Sequence, residues 1–87
     1  MSVYNSGLTP VLKKRLLMIA DHMEKHSVAP TLAELAKRAK KSRGAMQKTV
    51  RRLKEKGFLD LTEGEHRNMS LTPKAIDFIK KQKEGAQ

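Results

Sequence analysis

Apolar residues return along this chain at a helical spacing, then at a strand spacing, then at a helical spacing again. Leu12, Leu16, Ile19, Ala20 and Met23 share one face at the ~100° per residue of a helix, which predicts a first helix through about residue 25. Thr9-Pro10 opens it, because Thr caps and Pro needs no N–H at the first helical position. Val11 and Met18 sit well off that face and Leu17 at its edge, so the helix carries more apolar surface than one core contact requires. His26–Pro30 is a connector, with a short extended piece expected at Val28-Ala29 because the residue before Pro is driven extended. Thr31 and Glu34 make a capping box for a second helix, whose inner side is Leu32, Leu35, Ala36 and Ala39. Lys40-Lys41 is the turn, and Ser42–Gly57 is a third helix. Met46, Val50 and Leu53 form its inner stripe, Ser42 its N-cap and Gly57 its left-handed stop.

After Gly57 the period becomes two. Phe58, Asp60 and Thr62 alternate with Leu59 and Leu61, turn formers fill residues 63–68, and Met69-Ser70-Leu71 resumes an extended run. That pattern predicts a β-hairpin. Thr72-Pro73 repeats the cap-plus-Pro opening and starts a last helix through about Lys83. There Ile76 and Ile79 are expected on the body and Phe78 partly elsewhere. Residues 1–8 read as a flexible arm, 9–83 as one domain and 84–87 as a fraying tail. Helix, helix, tight turn, helix and hairpin make a winged helix-turn-helix. The fold class is mainly α with a small β-hairpin (α+β), a three-helix core plus a wing and a C-terminal helix.

Charge sharpens the picture. The 87 residues carry a formal +10, yet residues 1–30 hold +2, residues 58–87 are neutral, and residues 31–57 set ten Lys or Arg against Glu34 and Glu55 for +8. A basic charge gathered around one helix is the footprint of a polyanion binder. The plain alternative is a solvated face that aids solubility. Cysteine is absent, which excludes disulfides, thiolate zinc sites and cysteine nucleophiles. The sequence shows no apolar run long enough for a membrane span and no secretory signal at its start.

On the outer side of the third helix, Gln47, Lys48 and Arg51 lie at successive turns. Arg and Lys can donate to guanine, and Gln can pair with adenine, in a major groove wide enough to admit a helix. Gly44, beside Ala45, either lets the helix approach closely or is a poor helix residue tolerated by chance. Ser42, Arg43, Arg52, Lys40 and Lys41 suit phosphate contacts. Thr31 is a plain cap, a phosphate holder at a helix N-terminus, or both. In the wing, Arg67 is the best contact, with His66 and Asn68 beside it. His66 reads more readily as an ordinary exposed turn histidine than as a DNA contact, and Glu63 and Glu65 oppose a wing lying flat on phosphate. His22 and His26, four apart, lack a third ligand and read as solvated, so no metal or cofactor is expected. No glycine-rich phosphate loop, carboxylate pair or nucleophile elbow points to an enzyme. Tyr4, Phe58 and Phe78 are too few rings for a single-strand stacking platform.

The chain resembles the N-terminal DNA-binding domain of the LexA repressor family. The matching residues are Leu8-Thr9, Asp21-His22, Pro30-Thr31, Ala33-Glu34, Ala36, Arg38, Ser42 and Ala45. They continue through Leu53, Lys56-Gly57, Gly64, Arg67 and Leu71 without insertion. The resemblance implies DNA binding with the helix at Ser42–Lys56 in the major groove and the wing near the minor groove or backbone. Lys40-Lys41 departs from it, standing where the family usually places a Gly. Gly44, Gln47 and Lys48 also depart, so the repressor's operator does not carry over. The family's protease domain is not expected in so short a chain. Leu71-Thr72-Pro73-Lys74-Ala75 resembles the hairpin-to-helix junction of MarR-type regulators.

The expected function is a sequence-specific, double-stranded DNA-binding transcription regulator, a repressor of bacterial, phage or plasmid origin, cytoplasmic and nucleoid-associated. It is expected to need no small-molecule ligand and no membrane. Two alternatives stand beside it. One is a protein-interaction adaptor, because winged helices are reused in that role. The other is a nucleic-acid binder with little sequence preference. Val11, Met18 and Phe78 are the candidate surface for an adaptor or a homodimer, unless the last helix covers them.

Overall fold

A computed structural model describes residues 8–62 and 69–85. Its elements run α1 (Pro10–His26), α2 (Leu32–Ala39), α3 (Arg43–Glu55), β1 (Leu59–Leu61), β2 (Met69–Leu71) and α4 (Pro73–Gly85). The expected caps start the helices. Thr9 Oγ1 accepts from the Leu12 amide at 3.2 Å, and Ser42 Oγ from the Ala45 amide at 3.1 Å. Thr31 and Glu34 exchange two hydrogen bonds of 3.0 Å, closing the capping box. Such a cap stabilises by ~1 kcal/mol when its alternative is alanine.

The helix ends are built alike but from different residues. After α3, Gly57 (φ 85°) donates to the Lys54 carbonyl at 2.9 Å and Phe58 to the Leu53 carbonyl at 2.9 Å. That is a Schellman turn with Gly at its left-handed position and Phe58 packed near Leu53. After α2 the same turn closes with Lys40 at φ 58°. Lys40 donates to Lys37 at 3.2 Å and Lys41 to Ala36 at 3.0 Å. The absent Gly therefore changes the strain of that turn and not its hydrogen bonds. Ser27 (φ 60°) ends α1.

β1 and β2 pair antiparallel, with Leu59 opposite Leu71, Asp60 opposite Ser70 and Leu61 opposite Met69. The four apolar residues turn inward while Asp60 and Ser70 face out. The extended piece expected at Val28-Ala29 is not a strand; among the described residues the sheet has two, β1 and β2. Pro30 offers no N–H to a ladder, and the run before it is too short to sustain one.

The core takes Leu12, Leu16 and Ile19 from α1, Leu35 and Ala36 from α2, and Met46, Val50 and Leu53 from α3. Phe58, Leu59, Met69, Ala75, Phe78 and Ile79 complete it. Three assignments differ from the sequence reading. Leu8, placed in the arm, is buried in this core. Phe78 is only 4 % exposed, so it is no surface residue, while Ile76 stands 54 % exposed. Ala75, Phe78 and Ile79 form the i, i+3, i+4 face of α4, and Phe78 meets Phe58 edge-on with centroids 5.9 Å apart. Burying the larger ring against another aromatic outweighs burying Ile76. Arg15 is buried among apolar neighbours at 8 % exposure, its long stem serving as packing surface.

Candidate nucleic-acid interface

α3 is fixed along its length by its own sequence. Met46, Val50 and Leu53 are buried. The intervening residues Arg43, Gly44, Ala45, Gln47, Lys48, Arg51 and Arg52 are all exposed, as is the cap Ser42. Lys40 and Lys41, exposed in the preceding turn, extend the same cationic run toward α2.

Exposure alone would not make these groups available; it matters also which of them are held in ion pairs. Among the described residues, ion pairs join α1 to α2 and α1 to α4, or lie within α1 and α4. None engages a side chain of α3. Arg38 on α2 is bound to Asp21 at 2.5 Å, and Lys25 approaches the same carboxylate at 3.4 Å. The Arg38 hydrogen bond is the main force holding the Asp21 carboxyl below its ordinary 3.8; desolvation opposes it, and the hydrogen bond and charge of Lys25 add to the lowering. The acidic groups of α1 thus pair with cations of α1, α2 and α4, and no ion pair among the described residues involves the cations of α3.

Two sequence alternatives narrow. A Cβ added at Gly44 would meet nothing within 4 Å, so the fold itself does not require glycine there. Thr31 is engaged as a cap, its amide and hydroxyl both tied to Glu34, so any phosphate there would meet the first-turn amides of α2 beyond it. The wing candidates His66, Arg67 and Asn68 lie outside the described residues. Of the proposed dimer surface, Val11 is 56 % exposed, Met18 is half-buried, and Phe78 belongs to the core.

The His22 and His26 rings meet at a 44° tilt with centroids 4.5 Å apart, and His22 Nε2 lies 3.9 Å from Glu34 Oε1. With Val28, Lys37 and Arg38 they line an open cleft of about 600 Å³. Among the described residues no group of three or more His, Cys, Asp or Glu is placed to hold a metal ion. No helix among them is long and apolar enough to cross a membrane.

The sequence reading missed the corner before α4. Thr72 Oγ1 donates to the Gly57 carbonyl at 2.6 Å, and Lys74 Nζ donates to the Lys56 carbonyl at 2.9 Å. Both touch the chain just beyond α3. The Thr-Pro-Lys string signalled a helix start, but no local pattern signals a contact across some fifteen residues of chain.

The chemistry available to this face is donation. Guanidinium, ammonium and amide groups point outward from a rigid helix, suited to phosphate oxygens and base edges. Residues 5–68 match the family described as the LexA DNA binding domain. Two mutants of Lactococcus lactis ZitR have similar structures. One matches at 24% identity over 97% of this chain and 56% of that chain, with a TM-score of 0.64. The other matches at 23% identity over 97% of this chain and 57% of that chain, with the same TM-score of 0.64. The likeness is one of fold, and this chain spans little more than half the length of those structures. Comparison with curated proteins returned no match.

Proposed function

Since this chain belongs to the LexA DNA-binding domain family, we propose that it is a transcription regulator that reads double-stranded DNA with α3 in the major groove. The observation that carries the reading is the unpaired cationic face of α3, with Lys48 and Arg51 exposed and without acidic partners among the described residues. Gln47, Lys48 and Arg51 are the base readers. Ser42, Arg43, Arg52, Lys40, Lys41 and the α2 N-terminus at Thr31 set register on phosphates, with Ala45 and Gly44 letting the first turn approach closely. In the wing, Arg67 with His66 and Asn68 would add minor-groove or backbone contacts. Occupying a promoter in this way would repress transcription by excluding polymerase.

Selection of bound fragments from random duplex DNA tests the reading directly. A defined sequence preference is the expected result. Equal competition by unrelated duplex would replace it with a low-specificity binder. With ~6 phosphates contacted, log affinity should fall against log salt with a slope of about −5. Lys48→Ala or Arg51→Ala should lose ~1–3 kcal/mol at particular base pairs, measured by fluorescence anisotropy on single-substituted sites.

A further inference from the structure

Three consecutive carbonyls that follow α3 all accept hydrogen bonds from one corner of the chain. Lys56 O receives Lys74 Nζ at 2.9 Å, Gly57 O receives Thr72 Oγ1 at 2.6 Å, and Phe58 O receives the Thr72 amide at 3.4 Å. The Thr72 hydroxyl also accepts from the Ala75 amide at 3.2 Å, so one side chain caps α4 and grips the exit of α3 together. Lys74 Nζ stands 4.7 Å from the Phe58 ring centroid, and a Cβ added at Gly57 would meet the Lys74 Cδ at 3.8 Å. Its charge sits at the C-terminal end of α3, where the helix dipole favours a cation.

We propose that Thr72 and Lys74 are positioning residues for the recognition helix, setting the angle at which α3 meets DNA without touching DNA themselves. This rests on the reading of α3 as the reader. The N-terminal end of α3 is held by the tight turn from α2, and its C-terminal end is held by this corner. A tilt of ~5° about the first would move Arg51, about 12 Å along the helix, by ~1 Å. Hydrogen bonds to base edges do not survive such a shift, whereas contacts to a flexible phosphate backbone do. The clamp therefore governs sequence discrimination more than total affinity.

The test measures binding of the full chain to a selected duplex and to a scrambled one, across salt, for Thr72→Val, Lys74→Met and Thr72→Ser. Melting is followed on each protein, and Lys74→Met, which removes the ammonium and keeps an unbranched stem, serves if Thr72→Val does not fold. The expected result is a loss of roughly 10-fold on the selected duplex, the scale of one base contact. Scrambled-duplex affinity and salt slope should stay unchanged, and Thr72→Ser should restore the ratio through its hydroxyl. A lower melting temperature with an unchanged ratio would make the corner merely structural and overturn the inference. So would an equal loss on both duplexes with a salt slope reduced by ~1, which marks Lys74 as a direct phosphate contact. Wild-type binding with unaltered variants sinks this inference alone, while a wild type that binds neither duplex sinks the reading of α3 and the clamp with it.

Discussion

Lys40 holds a left-handed backbone, φ 58°, that costs a residue with a Cβ ~1–2 kcal/mol. Lys40→Gly should relieve that strain and stabilise the domain by about 1 kcal/mol in denaturant unfolding. If the side chain also touches phosphate, the same variant should reduce the salt slope of DNA binding by ~1, so stability rises while affinity falls. Gly44 predicts a similar opposition. Its added Cβ meets open space, so Gly44→Ala should raise helix stability by up to ~1 kcal/mol. Placed against a groove wall, the same methyl should weaken DNA binding. An alanine variant that binds as well as wild type would leave Gly44 a residue tolerated by chance. Gly57 was legible as a helix stop because glycine advertises the conformation it takes. The turn at Lys40-Lys41 was legible too, but the left-handed backbone of Lys40 was not, because the hydrogen bonds of that turn come from backbone and leave no mark on the residue type.

Among the elements, α4 shows best where a linear pattern falls short. Its apolar residues Ala75, Ile76, Phe78 and Ile79 spread over a broad arc, and any of several faces could have been the inner one. Phe58 chose, by offering an edge contact to Phe78. Phe78→Ala should therefore cost ~3–5 kcal/mol by leaving a cavity, while Ile76→Ala, at an exposed position, should change stability by less than ~0.5 kcal/mol. The reverse order in thermal unfolding would restore Phe78 to the surface. α3 was the opposite case: Met46, Val50 and Leu53 leave a single narrow stripe, so period alone fixed which side was buried. Its exposed side followed, including Lys48 and Arg51.

For the whole molecule the decisive feature is how charge is sorted. Asp21, Glu24 and Glu34 hold Arg38, Lys25, Lys83 and His22 at the rear, and the cations of α3 face outward unpaired among the described residues. Because the Asp21 pKa is lowered in the folded state, its contribution is present above the ordinary carboxylate value of 3.8 and is lost as pH falls below it. Asp21→Asn should accordingly flatten the dependence of melting temperature on pH in that acidic window and leave the neutral region nearly level. With Phe78 in the core and Met18 half covered, only Val11 of the proposed self-association surface remains open. Light scattering should then find a monomer at micromolar concentration, and a dimer under those conditions would locate its interface elsewhere.

Capping residues, apolar period and the clustering of charge were enough to determine the element order and the outward face of the reading helix. All three act within a few residues of chain, so they are written into the sequence itself. Tertiary structure decided what distant residues do to one another. It drew Leu8 into the core, turned Phe78 rather than Ile76 inward, kept Val28-Ala29 out of the sheet, and set Thr72 and Lys74 on the carbonyls that follow α3. Each of those outcomes depends on packing or hydrogen bonding between segments far apart along the chain, and spacing along a sequence carries no record of which distant groups will meet.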